Sequence, residues 1–287
     1  MPSASSPIRT TRFAASGISV CGDVGGHPAA RPVILLHGGG QTRHSWRRAQ
    51  QELIAQGFYV ISLDARGHGD SDWPVEPDYS FDALAADLRA VIATLPRLPA
   101  LVGASMGGAT ALYLIGNSPT PIASALVMVD IVPKLEQEGA KKIGDFMNAN
   151  PEGFATLEEA ADAVSKYYPT RKRPKDASGL MKNLRLRDDG RLHWHWDPRM
   201  LAPKERVEPP QMAQQMIDAC RGVKLPTLLV RGTESDIVGQ NGVEEFRKLL
   251  PQLQVADVAG AGHMVAGDKN DAFNQSVVDF LRALPPD

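Results

Sequence analysis

The sequence predicts an α/β fold, a mostly parallel sheet with helices on both faces. Three observations predict it. Short apolar runs rich in β-branched residues alternate with longer helical stretches. Several of the runs are apolar at every position, the pattern of strands covered on both faces. The boundaries carry the expected punctuation, with Ser80 at a helix start and Gly57 and Gly116 at helix ends.

Taken in order, "RTTRFAAS" and "GISVCGD" read as an antiparallel pair joined at Gly17. Strands are then expected at "PVILLHG" (32–38), "FYVISLD" (58–64), "PALVGA" (99–104), "ALVMVDI" (125–131), "PTLLVRG" (226–232) and "LQVADVA" (253–259). Helices are expected from Trp46 to Ala55, Phe81 to Leu95, Met106 to Ile115 and Ala272 to Leu284. The alternation stops after Ile131 and resumes near Pro226. A structureless loop of that length is implausible, so 133–222 is expected to be a helical cap inserted into a core formed by 1–132 and 223–287.

Composition excludes several classes. The chain has 287 residues, is 43% hydrophobic and 22% charged, and carries a formal net charge of −2, which favours neither nucleic acid nor a membrane surface as partner. Two cysteines, Cys21 and Cys220, are too few for a disulfide framework and lack metal-site spacing. With no apolar leader and no run of membrane-spanning length, the expected compartment is the cytoplasm. Oligomeric state is not legible.

The chemistry is expected at "GASMGG" (103–108), where a strand meets a helix in a cluster of small residues around Ser105. A nucleophilic serine on a sharp strand-to-helix turn needs small neighbours, and Gly103, Ala104, Gly107 and Gly108 supply them. The helix N-terminus adds unpaired N–H groups beside the hydroxyl. Serine is inert at neutral pH without a base. His263, in the glycine-bearing "GAGHM" after the last predicted strand, is the best placed of seven histidines. A carboxylate must orient that imidazole; Asp236 in "RGTESDIV" is the first choice, with Asp130 at the end of "ALVMVDI" and Glu234 as competitors.

"HGGG" (37–40), "DARGHGDSD" (64–72), "GASMGG" and the pair "GTESD" and "GAGHM" occur in order on the expected elements, and together they resemble the α/β-hydrolase family over nearly the whole chain. The resemblance implies a mostly parallel eight-stranded sheet and a cap entering after the sixth strand. It also implies an oxyanion hole formed by the backbone N–H groups of Gly39 and Met106, with Gly38 beside the substrate and His37 bracing the loop. The implied activity is cofactor-free hydrolysis of a small-molecule ester or lactone through an acyl-enzyme. Carbon–carbon bond hydrolysis, metal-free perhydrolysis and a non-catalytic receptor on the same scaffold are alternatives. Branches that use a carboxylate nucleophile are excluded by Ser105. The Asp-rich "DARGHGDSDW" is read as a self-locking turn rather than a metal site.

Two features of the insertion stay open. In "HWHW" (193–196), Trp194 and Trp196 share one side of an extended segment and either pack the insertion or line a pocket. Eight basic residues (Lys166, Arg171, Lys172, Arg173, Lys175, Lys182, Arg185 and Arg187) form either a solvated face or an attraction for an anionic substrate.

Overall fold

The computed structural model describes residues 7–167, 173, 176–202, 209–263 and 270–285. Among the described residues ten strands are present: β1 Arg9–Ala14, β2 Ser19–Gly25, β3 Pro32–Leu36, β4 Tyr59–Leu63, β5 Ala100–Ala104, β6 Ala125–Val129, β7 Leu184–Leu186, β8 Leu192–Trp194, β9 Thr227–Gly232 and β10 Leu253–Val258. Eight of them form one sheet in the order β1-β2-β4-β3-β5-β6-β9-β10. The six strands from β4 to β10 in that order are parallel, and β1 and β2 add an antiparallel edge.

Among the described residues eight α-helices accompany them: α1 Arg47–Ala55, α2 Phe81–Ile92, α3 Met106–Gly116, α4 Gln137–Asn148, α5 Leu157–Tyr167, α6 Pro209–Cys220, α7 Gln240–Leu249 and α8 Asn270–Ala283. The all-apolar strands behave as expected of residues that alternate sides. Ile34, Leu101, Leu126, Met128 and Leu229 join a core with α2, α3, α6 and α7. Their neighbours Val33, Val102, Val127 and Val230 join a second core with α1 and α8. Each such fully buried aliphatic side chain stabilises the fold by about 1.5–3 kcal/mol. Ser80 caps α2 through its hydroxyl, which accepts the N–H of Ala83 at 3.3 Å.

The segment 133–222 departs from a purely helical cap. Besides α4 and α5 it contains the β7–β8 hairpin, and Phe154, Ala160, Leu184, Trp194 and Trp196 form a small core of their own. Its last helix, α6, belongs to the main body: Met216, Ala219 and Cys220 are buried in the same core as Leu112 and Ile115 of α3. The inserted unit with its own packing therefore ends near Leu201. α7 is a further helix that the sequence reading does not anticipate.

Candidate active site

The turn between β5 and α3 is built for close approach. A Cβ on Gly103 would lie 2.4 Å from the Gly107 backbone, and one on Gly107 would lie 2.5 Å from the Leu36 carbonyl oxygen. Only glycine lets helix and strand meet there. Between them Ser105 sits at φ 45° and ψ −116°, a conformation that costs a non-glycine residue on the order of 1–3 kcal/mol. Its N–H donates to the Val129 carbonyl at 3.2 Å, and its side chain opens onto a cavity of about 460 Å³.

His263 opens onto the same cavity. Its Nδ1 lies 2.7 Å from Oδ2 of Asp130, which is fully buried at the end of β6. A carboxylate there accepts, so the proton sits on Nδ1 and Nε2 is left as the basic nitrogen. Asp130 is itself held in place, because Oδ1 accepts the Gly232 N–H at 3.1 Å and Oδ2 accepts the Ser235 hydroxyl at 2.5 Å. Its φ of 49° lies in the left-handed region, directly after the last residue of β6.

The carboxylate that the structure brings to His263 is Asp130, the alternative acid of the sequence reading, and not its first choice, Asp236. Asp236 lies past the turn, half-exposed, and pairs with Lys142 at 3.1 Å rather than with His263. Glu234 is exposed. Ser235, one residue before Asp236, takes the position beside the Asp130 carboxylate: its oxygen also accepts the N–H groups of Ile237 and Val238, tying the loop after β9 to Asp130. Sequence reasoning did not single out Ser235.

The loop 38–40 faces Ser105 across the cavity. A Cβ on Gly38 would stand 3.3 Å from the Ser105 Cβ, so this position must remain bare. The Gly38 N–H is taken by Gln41 Oε1 at 3.2 Å. Among the described residues nothing accepts the Gly39 N–H, and Met106, first in α3, has an N–H beyond the reach of any carbonyl of its own helix. Both residues line the cavity, as Gly38 does.

Three buried histidines brace this loop. Nε2 of His37 accepts the Ala65 N–H at 2.9 Å while Nδ1 donates to the Gly38 carbonyl at 2.8 Å. Nε2 of His68 accepts the Gly40 N–H at 3.2 Å, and Nδ1 of His195 accepts the Gly69 N–H at 2.8 Å. A nitrogen that accepts a backbone N–H carries no proton, so all three rings are neutral. Burial lowers the pKa of each, that of His68 to about 3 with His37 adding to the effect. Within the "DARGHGDSD" block the Asp70 N–H donates to Asp64 Oδ2 at 2.9 Å and the Ser71 hydroxyl donates to the Asp64 carbonyl at 2.7 Å, while Arg66 forks onto Asp87 of α2 at 2.6 and 2.9 Å and Arg43 pairs with buried Asp64 and with Asp70 at 2.8 Å. Oxygens of Asp64 and Asp70 and the thiol of Cys21 lie within 4.8 Å of one another, but Arg43 already supplies the positive charge to both carboxylates.

The rest of the cavity wall comes from the inserted unit. Trp194 and Trp196 stack at 5.1 Å, with Phe146 against Trp194, and both tryptophans line the cavity while also packing the unit's core. None of the described basic residues of the 166–187 run lines the cavity. Arg173 pairs with Glu158 and Asp162, Arg185 with Asp70, and Arg187 lies over Trp73. Arg171, Lys172 and Lys175 lie outside the described residues, as does Met264 of "GAGHM". No described helix is long and apolar enough to cross a membrane.

Comparison with known proteins agrees with this architecture. The profile of the alpha/beta hydrolase fold family matches residues 31–269. An sn-1-specific diacylglycerol lipase of Mus musculus is 30% identical over 260 residues, 87% of this chain and 80% of the relative. An esterase of Mycobacterium tuberculosis is 27% identical over 88% of this chain and 83% of the relative, and a crystal structure of that bacterium's esterase superposes with a TM-score of 0.77 at 27% identity, covering 96% and 92%. The structure of E-2-(acetamidomethylene)succinate hydrolase superposes with a TM-score of 0.81 at 24% identity, covering 96% and 100%, which shows the shared fold. With its parallel sheet and sharp serine turn in the places this architecture requires, the chain belongs to the alpha/beta hydrolase fold family and is a hydrolase.

Proposed function

We propose that the chain is a serine esterase that cleaves neutral carboxylic esters bearing an apolar acyl group, through an acyl-enzyme on Ser105. The observation that carries this reading is the bond from His263 Nδ1 to Asp130, which leaves Nε2 basic on the cavity that Ser105 also enters. The esterase and lipase among the relatives support the same reaction class.

Ser105 Oγ attacks the carbonyl carbon as His263 Nε2 takes its proton, and the oxygen of the tetrahedral intermediate is held by the N–H groups of Gly39 and Met106. His263 then delivers the proton to the departing alkoxide, water enters with His263 again as base, and the acid is released. Asp130 fixes the tautomer throughout and stabilises the imidazolium.

The cavity wall favours a neutral, apolar acyl group. Leu135, Ile143, Met147, Trp194, Trp196 and Met212 contribute apolar surface, and no Lys, Arg, Asp or Glu occurs among the described residues that line it. A substrate carboxylate would find no counter-ion among those described residues, which favours a neutral ester over the keto-acid substrates of carbon–carbon bond hydrolases. Hydrolysis of p-nitrophenyl hexanoate tests the reading: Ser105→Ala should abolish turnover with the circular-dichroism spectrum unchanged, and undiminished turnover in that variant would remove Ser105 from the mechanism.

A further inference from the structure

The Gly38–Gly40 loop is held from two directions. The Gly40 N–H donates to His68 of the core, while its carbonyl, at 3.3 Å, accepts from Nε2 of His195 in the inserted unit. The proton on that Nε2 is assigned by chemistry, because Nδ1 is occupied by the Gly69 N–H at 2.8 Å. His195 thus bridges the turn at Gly69 and the loop at Gly40, and it is 1% exposed. Gly40 itself stands at φ 72°, and a Cβ there would meet Trp196 at 3.3 Å and Met147 at 3.4 Å, so the inserted unit rests directly on this peptide. The rings of His37, His68 and His195 follow one another at 4.9 and 5.8 Å. The Gly40 N–H and carbonyl belong to the two peptide groups on either side of its Cα and are both engaged, and the Gly38 carbonyl, which shares its peptide group with the Gly39 N–H, accepts from His37 Nδ1 at 2.8 Å and from the Gln41 N–H at 3.1 Å, so the chain is held on both sides of the Gly39 N–H.

We propose that His195 is a positioning residue that fixes the Gly39 amide toward Ser105, so that the oxyanion site is complete only when the inserted unit is seated on the core. This rests on the serine chemistry proposed above. The contact acts on the intermediate and not on the acyl group in its ground state, so its loss belongs in kcat.

The two functions of the ring separate by substitution. His195→Gln retains an N–H near the Nε2 position to donate to Gly40, whereas His195→Asn retains only an acceptor near Nδ1 for Gly69. Turnover of p-nitrophenyl hexanoate and the labelling rate of Ser105 by an alkyl fluorophosphonate are measured for both, at a temperature where each is folded. The expected result is a kcat and a labelling rate about tenfold lower for His195→Asn at unchanged KM, short of the roughly 100- to 1,000-fold lost when an oxyanion donor is deleted outright, with His195→Gln near wild type. His68→Gln, whose carbonyl still accepts the Gly40 N–H, should also stay near wild type. Equal rates for His195→Asn and His195→Gln, or a loss confined to KM, would overturn the positioning role while labelled wild-type protein keeps the esterase reading. A wild-type chain that resists the fluorophosphonate would overturn both.

Discussion

Replacing Asp130 by Asn changes one atom in the hydrogen-bond set around His263, and the structure lets the consequence be worked out. Oδ1 of Asp130 accepts from the Gly232 N–H, whereas Oδ2 accepts from His263 and from the Ser235 hydroxyl. With the asparagine oxygen kept on Gly232, its NH₂ group faces His263 Nδ1 and must donate, which moves the imidazole proton to Nε2 and removes the base. With the amide flipped, the NH₂ group opposes the Gly232 N–H, leaving a buried donor unmatched at about 1–3 kcal/mol. The imidazolium then leans on a neutral oxygen, forfeiting about 1.5–3 kcal/mol of charge-assisted bonding. The sum, about 2.5–6 kcal/mol, corresponds to a loss in kcat of roughly 10²- to 10⁴-fold, its upper end matching the precedent for this substitution in serine proteases. Steady-state hydrolysis of p-nitrophenyl hexanoate reads it directly. Asp236→Asn breaks only the half-exposed pair with Lys142 and should leave kcat unchanged, with a stability change of about 1 kcal/mol or less. A large loss with Asp236→Asn and none with Asp130→Asn would refute the assignment.

Further outcomes follow from the same contacts. Gly107→Ala places a methyl 2.5 Å from the Leu36 carbonyl oxygen and should destabilise the chain by about 1–3 kcal/mol in urea unfolding; a neutral result would contradict the close approach at the turn. Arg43→Ala strands the fully buried Asp64 and should cost about 3–5 kcal/mol, measured the same way. His37, His68 and His195 have folded pKa values below the unfolded one near 6.5, so the unfolded chain binds protons that the folded chain does not, and stability falls as pH drops below about 6.5. Between pH 6 and 5 the loss should approach about 1.4 kcal/mol for each ring that stays neutral, and His68→Gln should make the slope shallower. Lengthening a p-nitrophenyl acyl chain from acetate to hexanoate should raise kcat/KM roughly fourfold per methylene, at about 0.8 kcal/mol each, and a flat profile would mean the acyl group does not enter the apolar cavity.

The sheet and the serine turn were legible because both are written locally. The apolar-rich runs expected as strands fall within two residues of β3, β4, β5, β6, β9 and β10, and Gly17 marks the turn between β1 and β2, at φ 74°. The small neighbours of Ser105 were readable for much the same reason, since Gly103 must clear Gly107 and Gly108 only a few residues on, although Gly107 also abuts the distant Leu36 carbonyl. Asp130 was harder. Two carboxylates end neighbouring strands, and only the register of β6 against β9, together with the positive φ at Asp130, decides which reaches His263, 133 residues away. Three-dimensional packing also hid the rest. The "HWHW" pattern announces a two-sided extended segment, but that His195 meets Gly69 and Gly40 depends on contacts across 126 and 155 residues. The membership of α6 in the core rests likewise on its packing against α3, which its polar sequence does not advertise.

The central claim is that Ser105 becomes covalently acylated. Mixing the protein with excess p-nitrophenyl hexanoate and stopping the reaction in acid within the first turnover, followed by peptide mass analysis, tests it most directly. The account predicts a burst of one p-nitrophenolate per active chain and a hexanoyl group on the peptide that contains Ser105, absent in Ser105→Ala. A burst-free time course with unmodified Ser105, at undiminished turnover, would contradict it.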